Sequence, residues 1–427
     1  MAKYDYQDYE KHITLLDGID DIVPYFITLP DAPKPEKITN FGKSKETQYF
    51  LREHIPTKVR NIDYRFKTGV ITRDEAVKLS EKDPEISYFI EDQWNKRLNG
   101  TFQYINGIPM YITGFNWFYL NYFPIDIGLP HFRITDRNYW YWRKFCVWDD
   151  PLVYGGVNFT LRRGGKSAMA GAECLEITTR TRKKLSGMQS KTDTDAKRLF
   201  NKFIYYQFTK LPYYFQPVYD PNNKSEVRMD EYRGYDSEEE PLSSLIDYRA
   251  STDTAYDSEK LLVGIIDEAG KMKDPVNPIE IWDKMKPCFK EEDAIVGKCI
   301  MTTTVEEMEK GGGKKFNKIW ADSSRNPQHG KLDEFGTPLS GLIQYFTPAT
   351  HSYVFDQYGF SIVGDPTPSQ QKFRYEQLIK RGESEAVSLK KSKMGAVELL
   401  EYERKAKRTE EDRNDHRRKY PFSIKEA

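Results

Sequence analysis

The spacing of apolar and polar residues divides the chain into three rhythms. Residues 1–98 are charged and broken by prolines at 24, 30, 33, 35, 56 and 84, with helical spacing over 72–81 and 86–98. This stretch is read as an adaptor or brace. Residues 99–128 (NGTFQYINGIPMYITGFNWFYLNYFPIDIG) change character. Their short β-prone runs between Gly and Pro predict hairpins packed against something larger. The pattern over 134–148 predicts a helix capped at Thr135 or Asp136.

From 152 to about 346 strand-like and helix-like segments alternate. The apolar run 152–159 leads through a glycine-bearing basic turn into a helix over 165–180, and a strand follows over 184–189. Ala196, Leu199, Phe200, Phe203 and Ile204 then recur at helical spacing. Segment 219–260 is acidic and turn-rich, a surface excursion with one strand near 243–249. The continuous apolar run 261–266 predicts a strand covered on both faces. A helix over 278–289, a run over 294–301, a loop at Gly311-Gly312-Gly313 and a strand over 342–346 complete the series. Such alternation predicts an α/β fold, a central mostly parallel sheet flanked by helices. Residues 366–419 mix charges of both signs and read as exposed lid or arm helices. The expected division is an N-terminal extension with aromatic-rich hairpins (1–130), a core (131–350), and a lid with linker (351–427).

The chemistry gathers at the strand ends. Arg162-Arg163-Gly164-Gly165-Lys166-Ser167 joins a strand to a helix, the arrangement of a phosphate cradle. Backbone N–H groups of Arg163, Gly164 and Gly165 would face anionic oxygens, Lys166 the outer phosphates, and the Ser167 hydroxyl Mg²⁺. Thr160 stands where the usual pattern has its first glycine, so a basic helix cap is the alternative. LLVGIIDEAG (261–270) ends an apolar strand in adjacent carboxylates. Of Asp267 and Glu268, one would hold Mg²⁺ while the other would orient and deprotonate the attacking water. Thr302, Thr303 and Thr304 end the next apolar run and would sense the γ-phosphate. Arg162 is a candidate arginine finger in cis, or else a surface arginine. Arg137, Tyr139 and Trp140, upstream of the cradle, are the candidates to hold an adenine by stacking and hydrogen bonding, although core packing is the preferred reading for each ring. Gly311–Lys315 (GGGKK) lacks a following Ser or Thr and reads as a flexible loop.

Composition narrows the partners. Lys plus Arg and Asp plus Glu are 65 each, so a nucleic-acid contact must come from a local patch. Segment 160–200, with ten Lys/Arg against four Asp/Glu, is the basic stretch that suits phosphate or a DNA backbone. Aromatics are 14% of the chain and read as packing groups. Cys146, Cys174, Cys288 and Cys299 form no C-x-x-C pair, as in reduced thiols of a cytosolic protein. The six histidines lack ligand spacing, leaving no expected metal but Mg²⁺. The polar start is no secretory signal, and no apolar run reaches membrane-span length, so a soluble intracellular protein is expected.

In this order, RRGGKS, IIDEA and a Thr triplet resemble the ATPase half of the large terminase subunit of tailed bacteriophages, a P-loop NTPase of the ASCE type. KLSGMQSKTDTDAKRLFNKF resembles that family's segment after the cradle, and the closing RKYPFSIKEA resembles its tract between motor and nuclease. The resemblance covers about 130–350 and the closing residues. It implies ATP and Mg²⁺ at Lys166, Ser167 and Asp267, catalysis by Glu268 with Arg162, and coupling through Thr302–Thr304. It also implies a homo-oligomeric ring on the portal protein of a procapsid, pumping double-stranded DNA with a small terminase subunit as partner, in the host cytoplasm. The family's nuclease would begin just after Ala427, so no nuclease activity is expected from these residues. A helicase-like translocase and a non-hydrolysing nucleotide-gated scaffold remain the alternatives.

Overall fold

The computed structural model describes residues 9–19, 21–126, 128–232, 237–304 and 311–426. An antiparallel hairpin of β1 (His12–Leu15) and β2 (Tyr25–Thr28) precedes three helices, α1 (Thr57–Lys67), α2 (Arg73–Lys82) and α3 (Pro84–Asn99). Thr72 starts α2 through a reciprocal capping box with Glu75. A second hairpin follows, β3 (Thr101–Ile105) with β4 (Ile108–Ile112).

The expectation of hairpins throughout 99–128 fails beyond this point. Residues Gly114–Tyr122 form a helix, α4, started by the Thr113 hydroxyl accepting the Asn116 N–H. All of its residues but Asn121 are buried, so it has no polar face and no 3.6-residue pattern to read. The next helix, α5 (Ile134–Tyr141), continues as a π-helical turn over Trp142–Trp148. Its N-cap is Arg133, without a side-chain cap, and not Thr135 or Asp136.

The α/β part then runs β5 (Gly155–Thr160), α6 (Lys166–Thr178), β6 (Leu185–Gln189), α7 (Asp193–Phe200) and α8 (Tyr206–Lys210). It continues with β7 (Glu226–Met229), β8 (Ser244–Tyr248), β9 (Leu261–Asp267) and α9 (Pro278–Met285). Two short strands, β10 (Lys290–Glu291) and β11 (Ala294–Ile295), pair with each other before β12 (Lys298–Thr304). Last come α10 (Gly311–Asp322), β13 (Leu342–Thr347), α11 (Ala349–Ser352), α12 (Pro368–Lys380), α13 (Glu385–Ser392), α14 (Ala396–Lys405) and α15 (Glu410–Lys419).

Seven strands form one sheet in the order β13-β5-β12-β9-β6-β8-β7. Only the edge strand β7 is antiparallel to its neighbour. The fold is therefore α/β, a mostly parallel sheet flanked by helices. Every residue of β5, β9 and β12 is buried, as strands covered on both faces require. Segment 219–260 holds two strands where one was expected, because four-residue β7 lies among polar turns; residues 233–236 of it lie outside the described set. The GGGKK stretch is not a loop. It opens α10, whose Phe316, Ile319 and Trp320 are buried and whose rings at 316 and 320 pack on Phe159 of β5. That apolar stripe outweighs the poor helix propensity of glycine.

One continuous hydrophobic cluster takes in Ile13 of the N-terminal hairpin, Trp117 of α4, Trp142 and the central strands. Packing at the sheet is tight: a Cβ on Gly156 would lie 2.1 Å from the Trp142 ring. Inside this cluster Arg143 and Glu173 are both fully buried. The Arg143 Nε donates to Glu173 Oε2 at 2.8 Å, and the Trp148 indole donates to Oε1 at 2.7 Å. Removing one partner strands a charge in the core. Arg143→Met is expected to destabilise the fold by about 3–5 kcal/mol, read as a lower denaturant midpoint. Arg143→Met with Glu173→Leu is expected to recover most of that loss. A smaller cluster of Leu161, Ala349 and Leu400 joins the cradle loop to the C-terminal helices. The Arg162 N–H donates to the Lys419 carbonyl at 3.1 Å beside it.

Candidate functional site

The sheet order sets the site. Strand β12 lies between β5 and β9, so the Thr-bearing end stands between the cradle and the Asp-Glu pair. The register places Thr302 opposite Asp267 and Thr304 opposite Thr160. All three strands point the same way, and their carboxyl ends form the edge where open α/β sheets bind ligands.

Two left-handed residues turn the cradle, Arg163 at φ +67° and Gly165 at φ +83°. Gly165 is the N-cap of α6 and gives it no side-chain cap, so the amides of the first turn have no acceptor from that residue. Thr160, in place of the expected glycine, crowds the loop. A Cβ at position 164 would lie 2.9 Å from the Thr160 hydroxyl, so Gly164 makes the room.

Lys166 is 6% exposed and reaches three groups. Its Nζ lies 3.1 Å from Asp267 Oδ1, 2.8 Å from Glu268 Oε1 and 3.4 Å from the Ser167 hydroxyl. Ser167 donates to Asp267 Oδ1 at 3.0 Å, and Thr302 donates to the same oxygen at 2.6 Å. Thr304 donates to Glu268 Oε2 at 3.3 Å. Thr303 points elsewhere: its hydroxyl accepts the Gly270 N–H at 3.1 Å, so it braces the turn after Glu268 and does not touch either carboxylate.

Glu268 is in the left-handed region, φ +55°, at a backbone cost of about 1–2 kcal/mol. Burial alone would raise its carboxyl, but the Lys166 charge and hydrogen bond, then those of Lys271, hold it down at about 2. Burial works against the Lys166 ammonium as well, but Asp267 and then Glu268 raise its pKa above the ordinary lysine value. Both groups are thus charged at neutral pH.

The adenine candidates separate. Trp140 is wholly buried between Phe115 and Tyr119, so it is a core residue and cannot stack on a ligand. Arg137 donates to Asn138 and lies over the Tyr141 ring, and it is not part of the lining of the pocket beside the cradle. Tyr139 lines a small pocket beside the cradle with Asn158, Thr160, Arg163 and Gly164. The Tyr139 hydroxyl and the Asn158 Oδ1 are buried there without a hydrogen-bond partner. The sequence reading missed Asn158, whose signal was a lone polar residue within the apolar run GGVNFT. It also missed Lys271, whose Nζ lies 3.1 Å from Glu268 Oε2.

Arg162 is exposed, and no ion pair of its side chain occurs among the described residues. The basic stretch 160–200 is largely neutralised. Lys166, Arg180, Arg182, Lys184, Lys191 and Arg198 all pair with carboxylates, leaving Arg162, Arg163, Lys183 and Lys197 without an ion pair among the described residues. No helix among the described residues is long and apolar enough to cross a membrane.

Among solved structures the chain is similar to the HK97 bacteriophage large terminase, at 11% identity and a TM-score of 0.39 over 64% of this chain and 49% of that one. It thus matches about half the length of that protein. It is also similar to the Thermus phage P74-26 large terminase ATPase domain, at 13% identity and a TM-score of 0.36 over 64% of this chain and 89% of that one. No family model matches the sequence, and no curated protein matches it.

Proposed function

We propose that the chain is a Mg²⁺-dependent ATPase that drives double-stranded DNA into a viral procapsid. The observation that carries the hydrolytic reading is the convergence of Lys166, Ser167, Asp267, Glu268, Thr302 and Thr304 at one sheet edge, before an uncapped helix N-terminus. The DNA-packaging reading rests on the sequence resemblance of RRGGKS, IIDEA, the Thr triplet and RKYPFSIKEA. A portal protein, a small terminase subunit and a ring of like chains are the partners this reading brings. The host cytoplasm and the portal are its place.

The residues present fit ATP with Mg²⁺. Ser167 and Asp267 offer a hydroxyl and a carboxylate 3.0 Å apart, hard oxygen donors of the kind Mg²⁺ takes. The orphaned Tyr139 hydroxyl and Asn158 Oδ1 supply a donor and an acceptor for the nucleoside beside the cradle. When bound, Mg²⁺ supplies positive charge to the phosphate oxygens. Lys166 and the first amides of α6 hold the phosphates, and Ser167 and Asp267 keep the metal. Glu268 orients the attacking water and receives its proton. Thr302 and Thr304 touch the two carboxylates, so a change at the phosphates reaches β12 directly. Arg162 remains the candidate finger in cis, with Arg163 next to it on the loop.

Lys166→Ala tests the cradle. Titration with a fluorescent ATP analogue is expected to show affinity lower by roughly 10- to 100-fold, the range of one charge-assisted contact. Unchanged affinity would mean that the nucleotide sits elsewhere.

A further inference from the structure

Glu268 has cations on both of its oxygens. Oε1 faces Lys166, while Oε2 faces Lys271 at 3.1 Å and the Thr304 hydroxyl at 3.3 Å. Lys271 is there for a local reason. Residues Ala269–Lys271 form a single 3₁₀ turn, closed by the Lys271 N–H donating to the Glu268 carbonyl at 2.8 Å. That turn brings the residue three positions on back over the carboxylate, and the Gly270 N–H is fixed to Thr303. Lys271 is therefore set by the same element that sets Glu268.

We propose that Lys271 is the cation that keeps Glu268 paired when Lys166 leaves that carboxylate for the phosphates of a bound nucleotide. The inference rests on the ATP reading of the site. The three donors of the Lys166 ammonium are already engaged by Glu268, Asp267 and Ser167, so turning to outer phosphates means letting present partners go. Binding therefore removes Lys166 from a carboxylate only 19% exposed. Without a second cation this would leave a largely buried charge unpaired, and that cost would appear as lost affinity. Lys271 carries no such conflict, because it holds the other oxygen. It also divides the work of the two oxygens. Oε2 stays anchored on Lys271 and Thr304, while Oε1, released by Lys166, is the one that faces water. Lys271 is thus a positioning residue for Glu268, acting through that carboxylate and not on the nucleotide.

Titration with a fluorescent ATP analogue and Mg²⁺ on four proteins tests this: wild type, Lys271→Met, Glu268→Gln and the double variant. Lys271→Met is expected to weaken binding roughly tenfold, the scale of one charge-assisted contact to a part-buried carboxylate. In the Glu268→Gln background the same change is expected to alter affinity by less than about twofold, since a neutral amide needs no counter-charge. Lys271→Arg is expected to bind like wild type. A loss of equal size in both backgrounds would overturn the proposal, because it would mean a direct contact with nucleotide or general damage to the site. Full affinity in Lys271→Met would overturn it too. Circular dichroism on each variant reports folding, and Lys271→Gln replaces Lys271→Met if the latter does not fold. No binding by the wild-type chain would overturn the ATP reading itself, and is seen before any variant is compared.

Discussion

Replacing Glu268 with glutamine is expected to lower ATP turnover by roughly 10²–10⁴-fold, the usual contribution of a positioned acid–base group, with nucleotide binding close to wild type. The amide keeps the shape of the side chain but cannot receive a proton. Binding survives because Lys166 is shared between Asp267 and Glu268, and Glu268→Gln frees it for the phosphates without disturbing Asp267. Phosphate release and nucleotide affinity measured on one preparation check both halves. Wild-type turnover in Glu268→Gln would remove this residue from the chemistry. Loss of binding would instead make it part of the cradle.

Arg162→Ala is expected to cut kcat by roughly 10³-fold with little loss of affinity, on the scale of other arginine fingers. The structure leaves that side chain exposed at the mouth of the cradle, while the backbone N–H is tied to the Lys419 carbonyl. An arginine held by its backbone, with its guanidinium in no ion pair among the described residues, is suited to swing onto charge that develops only in the transition state. Arg162→Lys is expected to remain well below wild type, because a point charge does not reproduce the planar fork. Normal turnover without DNA but a weaker response to DNA would make Arg162 a DNA contact. Arg163, or an arginine from a neighbouring subunit, would then be the finger.

The central strands were legible in the sequence because burial on both faces leaves an unbroken apolar run, as in Leu261–Asp267. The turn between β5 and α6 was legible because Gly164 and Gly165 interrupt the passage from an apolar run to helix-forming residues. The helix α4 was not legible: its aromatic residues favour strands locally, and near-complete burial erased the polar face that would have marked a helix. Trp140 stayed open between two roles for a related reason, since a ring beside a binding loop and a ring in the core look alike until burial is known. Lys271 looked like any surface lysine. Only the 3₁₀ turn after Glu268 brings it to that carboxylate, and such a turn leaves no periodic trace. The basic stretch 160–200 misled in the opposite direction. Its partners Glu240 and Glu291 come from distant segments, so local charge counting could not see them.

The most direct measurement is steady-state phosphate release from ATP by the wild-type chain, with Mg²⁺ and with EDTA, each in the presence and absence of double-stranded DNA. The account predicts turnover that requires Mg²⁺ and rises with DNA. Saturable ATP binding without phosphate release under all four conditions would contradict it, and would make the converged lysine, carboxylates and threonines a nucleotide-gated scaffold instead of a motor.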